Sequence, residues 1–233
     1  MINNYHISLE EVSLEEYQKI LESKKLLPGR RILENNISER FEIMRNTGVK
    51  NLKELLVQLK NKKNIEDFKN KTGIPQDYLV ILKREIKSYL PNPVSLTKFP
   101  GINQDYVEKM ADIGIKNSKQ ILIQVMDQED LSHLSMKLKI PPNDLLEILR
   151  LSDLVRISGV GPIFARMMFD NGTNTTEKVA NSDPKPLFEE LITLNEKNNY
   201  TKAKFTENDV FYCINFAKKL PVILNITDGS IIQ

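Results

Sequence analysis

Tryptophan is absent from the 233 residues, cysteine occurs once and histidine twice. Each scarcity removes a class of explanation. A single cysteine, Cys213, cannot build an internal disulfide framework and suits a reducing compartment. Lying between Phe211 and Phe216, it reads as core packing and not as a nucleophile. With only His6 and His133 beside it, no zinc site is credible. His133 reads as an ordinary helix-surface residue. No run approaches the roughly 20 apolar residues of a membrane span, and Met1–Ser8 has neither the basic nor the apolar segment of a signal peptide. A cytoplasmic protein without membrane contact is expected. There is no Gly-Lys-Ser/Thr phosphate loop. The pairs Glu10-Glu11, Glu15-Glu16 and Glu189-Glu190 fit the acidic first turns of helices better than a cation site. Nothing forms a catalytic constellation. The sequence predicts no enzyme, no metal, no cofactor and no small-molecule substrate.

Charge is small in sum and uneven in place. The net is +2, but residues 1–23 carry one Lys against five Glu, and residues 24–87 carry sixteen Lys/Arg against eight Asp/Glu. Residues 88–233 carry sixteen against eighteen. A basic block in a near-neutral chain is either an electrostatic footprint for phosphates or a set of solvated helix faces. Lys60-Asn61-Lys62-Lys63 is its densest stretch.

The strongest feature present is an internal repeat. Residues 44–84 align without gaps on residues 110–150 at an offset of 66, with twelve of 41 positions identical. Among these are Met44/Met110, Gly48/Gly114, Asn51/Asn117, Pro75/Pro141 and Arg84/Arg150. A third copy follows at an offset of 58, where Gly101 falls on Gly159, Met110 on Met168 and Gly114 on Gly172. In each copy the local signals are helical. Gly48, Gly114 and Gly172 stand where a helix should stop. Asn51, Asn117 and Thr175 follow as N-caps, and an apolar stripe such as Leu52, Leu55, Leu56 and Leu59 then begins at helical spacing. Pro75 and Pro141 suit a first helical turn. Ser13 with Glu16 suits a capping box. Met44, Met110 and Met168, with Leu56, Leu122 and Ala180, are the expected core. The fold class predicted is all-α, in three tandem modules. Tyr5–Ser8 and Val222–Ile226 could be short strands, with a turn at Thr227-Asp228-Gly229 before Ser230–Ile232.

The most specific motif is Leu154-Val155-Arg156-Ile157-Ser158-Gly159-Val160-Gly161-Pro162-Ile163-Phe164-Ala165-Arg166-Met167-Met168. Gly159 permits a tight turn, Val160 plugs it into the core, Gly161 admits a second backbone and Pro162 suits the first position of the next helix. Ala165 is small where two helices cross. A dinucleotide fingerprint would require a strand before these glycines, whereas here they recur in helical modules. The stretch resembles the helix-hairpin-helix motif and is similar to the hairpins of repair-type DNA polymerases. Residues 94–220 resemble an uncharacterised prokaryotic family of unknown function with paired helix-hairpin-helix units. The expected organisation is an N-terminal extension and diverged first module over 1–93, a paired domain over 94–220 and a short tail over 221–233.

That resemblance implies binding to nucleic-acid backbone without sequence reading, to DNA in preference to RNA, through N–H groups at a helix N-terminus. Carried over, Gly159, Val160 and Gly161 would meet a phosphate, with Arg156 and Arg166 adding charge. The equivalent stretch Lys98-Phe99-Pro100-Gly101-Ile102-Asn103 keeps one glycine, and Arg166 aligns with Glu108 beside Lys109. Lys98, Gly101 and Lys109 therefore complete the candidate set. Asn35-Asn36-Ile37 has neither glycine. The alternative is a protein-interaction adaptor whose degenerate hairpins serve only as packing units.

Overall fold

The computed structural model describes residues 5–24, 26 and 28–226. Among them the secondary structure is helical, with no strand. The first module comprises α1 (Leu14–Ser23), a 3-10 helix (Pro28–Glu34), α2 (Ile37–Asn46), α3 (Leu52–Gln58), α4 (Lys62–Thr72) and α5 (Gln76–Lys87). The second runs from a short 3-10 helix (Leu96–Lys98) through α6 (Gln104–Asp112), α7 (Ser118–Gln124), α8 (Gln128–Leu138) and α9 (Pro142–Leu154). The third has α10 (Pro162–Asp170), α11 (Thr176–Ala180), α12 (Pro184–Asn198) and α13 (Glu207–Ala217). Contacts divide the chain into two compact units. One is Ser8–Leu90; the other joins the residues up to Ile7 to those from Pro91 onward.

Each copy repeats one local design. Gly48, Gly114 and Gly172 follow α2, α6 and α10 with φ of +92°, +88° and +86°, a conformation that a side chain would strain. Asn51, Asn117 and Thr175 then accept the N–H groups of Glu54, Gln120 and Lys178 at 2.9, 3.0 and 3.1 Å, so each short helix starts capped. A further repetition escapes the offset of 66. Val12-Ser13-Leu14 recurs as Val94-Ser95-Leu96, and each bonds to the capping segment of its own module. Leu14 N–H donates to Lys50 and Leu52 N–H to Val12; Leu96 N–H donates to Lys116 and Ser118 N–H to Val94. In the third module Asp153 holds this place, and its Oδ2 accepts the N–H and hydroxyl of Thr176 at 2.9 and 2.8 Å.

The core is built from the expected stripe with one shift. Met44, Met110 and Met168 are fully buried, and so is Leu122, but Leu56 and Ala180 are only half-buried. The deepest position on these short helices is one residue earlier, at Leu55, Ile121 and Val179. Cys213 and Phe216 are buried, whereas Phe211 is exposed. His133 lies exposed on α8. In the Ser8–Leu90 unit the buried Glu85 accepts from Lys24 and Arg30, tying the 3-10 helix to α5.

Two details correct the sequence reading and one, the Ser13 cap, bears it out. Pro75 and Pro141 occupy N-cap positions, and Pro142 is the first-turn proline. Ser13 accepts from Glu16 N–H at 3.1 Å. Tyr5–Ser8 is not a strand, and Val222–Ile226 has only a single bridge residue, Asn225, whose N–H donates to Met126 at 2.8 Å. These terminal segments give backbone carbonyls to a side chain, Arg156, instead of to each other. The turn and strand expected over Thr227–Ile232 lie outside the described residues.

The N-terminal segment brings a titratable group with it. The Tyr5 hydroxyl lies 2.8 Å from Ser118 Oγ, and the His6 ring stands edge-on to Tyr5 at 4.8 Å. Burial lowers the His6 pKa to about 4, with the charges of Lys119 and Arg156 adding to the effect. His6 is therefore neutral in the folded chain where an unfolded histidine, near 6.5, would already be charged. The folded state binds fewer protons across this window. Stability is full above about pH 6.5 and is lost as pH falls through about 4. Thermal unfolding of wild type and His6→Phe across this range should differ in slope, the variant losing less stability toward acid. Parallel curves would show that His6 does not couple to folding.

Candidate functional site

The candidate site is the turn between α9 and α10. The end of α9 tightens as Arg156 N–H donates to Asp153 and Ile157 N–H to Leu154. Val160 N–H then donates to Ile157 at 3.0 Å, and the Val160 side chain is buried as the sequence predicts. Gly159 is exposed with φ +91°, and Ala165 is fully buried on α10.

Gly161 is the N-cap of α10, at φ −89° and ψ 176°, and no side chain caps the helix. That conformation is open to any residue. A Cβ added at Gly159 or Gly161 would meet nothing within 4 Å, so among the described residues no backbone makes the close approach expected at Gly161. Among the described residues, no acceptor takes the N–H groups of Gly159, Gly161, Ile163 or Phe164. The turn thus presents a row of unspent donors at the positive end of a helix. Ile163, next to them, is exposed.

The two arginines assigned to this site by sequence are not at its surface. Arg156 has no solvent exposure. Its Nε donates to the Tyr5 carbonyl at 3.0 Å and its Nη2 to the Pro221 carbonyl at 2.7 Å, while Nη1 pairs with Asp153. Arg166, also buried, donates through Nε to the Pro100 carbonyl at 2.9 Å and pairs with Glu147 and Asp170. A guanidinium with each of its three nitrogens engaged inside the protein cannot turn to a phosphate without breaking those bonds. Both are corrected to internal ties. The sequence held a signal for this. Each arginine lies in an apolar run, and each has a carboxylate one turn away, Asp153 or Asp170.

The turn before α6 is closed by the same contacts. Gly101, at φ +80°, has the Arg166 guanidinium 3.4 Å from the place of a Cβ. Asn103 Oδ1 accepts the Asp105 N–H at 2.9 Å, so α6 is capped by its own side chain where α10 is not. Lys98 is exposed. Lys109 is exposed too, with Nζ 3.3 Å from the Lys139 carbonyl and 5.8 Å from the Tyr106 ring centre. Of the candidate set, the structure leaves Gly159 and Gly161 open, puts Lys98 and Lys109 at the surface, and withdraws Arg156 and Arg166. No group of three or more His, Cys, Asp or Glu that could hold a metal occurs among the described residues.

Arg156→Met should therefore act on folding. It leaves Asp153 buried without its counter-charge, a loss of about 3–5 kcal/mol. Chemical unfolding measures this; a variant within about 1 kcal/mol of wild type, the range of a surface ion pair, would show that the tie is not stabilising.

No curated protein and no solved structure matches the chain. The family described as Domain of unknown function (DUF4332) matches residues 100–220, from the Pro100-Gly101 turn to the end of the third module. This stretch contains the Gly101 and Gly159–Gly161 turns and all of α6–α13, more than half of the sequence. The chain belongs to the DUF4332 family.

Proposed function

We propose that this protein binds nucleic acid through the phosphate backbone, without reading sequence, and that the Gly159–Gly161 turn is a helix-hairpin-helix of the kind its sequence resembles. Duplex DNA is the expected form. The observation that carries the reading is Gly161. Neither its φ nor any neighbour requires a glycine, and it stands where Ser, Thr, Asp or Asn would cap α10. A glycine here leaves the donors free for an outside acceptor. Phosphate is the natural occupant, being an anion with several acceptor oxygens at a helix N-terminus. The buried arginines help indirectly: by pairing with Asp153, Glu147 and Asp170 they neutralise carboxylates that would repel it.

Such binding is modest in affinity, indifferent to sequence and steep in salt, at a log–log slope near −0.9 per phosphate contact on duplex DNA. Gly161→Ser separates function from fold. Serine at this β-region N-cap supplies its own acceptor, so the helix should gain a few tenths of a kcal/mol. Duplex affinity should fall for all sequences alike, with a shallower salt slope. Fluorescence anisotropy and thermal unfolding on the same samples test both halves. A wild-type protein that binds neither duplex nor single strand at about 50 mM salt, where such contacts are strongest, would sink the reading. The adaptor alternative has its own observation: an open hollow of about 410 Å³ lined by Pro184, Glu207, Asn208 and the exposed Phe211.

A further inference from the structure

Helix α5 and helix α9 are the last helices of the first and second copies, and the same face of each has opposite fates. On α9 that face is Leu146, Leu149, Arg150 and Asp153, at 5, 0, 9 and 2 % exposure, and α9 packs on α10 while Asp153 holds the start of α11. On α5 the equivalent residues at the offset of 66 are Val80, Lys83, Arg84 and Lys87. They fall at helical spacing on one face. Val80 is 36 % exposed, Lys83 is half-buried, and Arg84 and Lys87 are exposed. Where the second copy carries another module, the first carries cations in solvent.

The loop between α3 and α4 extends this edge. Lys83 Nζ donates to the Lys60 carbonyl at 2.7 Å, which sets Lys60, Lys62 and Lys63, all exposed, beside the α5 stripe. Lys62 and Lys63 occupy the first turn of α4, where the helix dipole disfavours positive charge. The matching turn of α8 has Glu129 and Asp130. Folding alone does not ask for these lysines. Nearby carboxylates offset the cluster only in part. Glu85 is buried under Lys24 and Arg30, and Glu66 pairs with Lys69, while Asp67 on the next turn of α4 and Asp77 in the first turn of α5 stay exposed against six cations.

We infer that the α5 stripe and the α3–α4 loop form a second phosphate-binding surface, so that each of the two units holds its own stretch of nucleic-acid backbone. The inference rests on the nucleic-acid reading above and adds to it the partner's minimum extent. A surface of six long cationic side chains with one valine as its apolar member fits a polyanion and not a protein interface, whose core is depleted of lysine.

Four full-length proteins test it: wild type, Gly161→Ser, an edge variant (Lys62→Gln, Lys63→Gln, Arg84→Gln, Lys87→Gln), and a control that exchanges Lys and Arg at those four positions. Lys83 is left in place because it anchors the loop. Long duplex DNA is titrated at about 50 and 200 mM salt, the range over which phosphate contacts separate clearly. The edge variant should bind at least tenfold more weakly at the lower salt, with a slope shallower by up to about 0.9 for each cation removed. The exchanged control, which keeps the charge, should bind like wild type. Wild-type affinity and slope in the edge variant, with loss in Gly161→Ser, would overturn this surface and leave the hairpin reading intact. Loss in the edge variant with none in Gly161→Ser would support this surface and remove the hairpin. An exchanged control as weak as the edge variant would assign the effect to structure and overturn the inference.

Discussion

A guanidinium and a carboxylate, Arg156 and Asp153, sit almost without solvent in the unit that carries the Gly159–Gly161 turn, and four distant stretches of chain meet on them. Ions in such a place are tolerated only when their hydrogen bonds are complete, because the lost hydration is worth several kcal/mol per charge. Here the arginine reaches the carbonyls of Tyr5 and Pro221 as well as Asp153, and the other carboxylate oxygen takes the backbone and hydroxyl of Thr176. The N-terminal segment, the end of α9, the start of α11 and the segment after α13 are thereby fastened to one point. The cluster also explains how Tyr5–Ile7 joins a unit that otherwise starts at Pro91. His6 is carried to a half-buried place by that attachment, and its depressed pKa follows from it.

Asp153 marks the place where duplication became fusion. By the offset of 66 it is the partner of Lys87, the last residue of α5; by the offset of 58 it is the partner of Ser95, which opens the second module. The offsets differ by eight, the step from Lys87 to Ser95, and the intervening residues 88–94 have no counterpart between the second and third copies. The end of one module is the start of the next, so the two share a core. Between the first and second copies the segment is retained, and the two compact units part within it, between Leu90 and Pro91. The same design thus produced a buried face on α9 and a cationic one on α5.

The Gly159–Gly161 turn and its flanking helices show a division of labour. Its cations are turned inward and spent on structure, while the N–H groups of Gly159, Gly161, Ile163 and Phe164 are left without acceptors among the described residues. Arg166 closes the companion turn at Gly101 by occupying it. The asymmetry between the two turns is one of capping. Asn103 answers the donors of α6, and Gly161 leaves those of α10 unanswered.

What the sequence determined by itself is what physics settles within a few residues. The glycine stops, the Asn and Thr caps three places on, and the methionines on the core face were legible because a cap or a left-handed turn involves only its neighbours. The repeat made these local signals mutually supporting, and with them the all-α fold. The direction of a long side chain is another matter. The apolar runs and nearby carboxylates of Arg156 and Arg166 only hint at burial, and whether they face water depends on carbonyls at Tyr5, Pro100 and Pro221, from 65 to 151 residues away. The openness of Gly161 is likewise a statement about which atoms do not come near, and only the assembled chain decides that. So does the fate of α5's outer face, since the burial of its counterpart depends on a following module that packs against it.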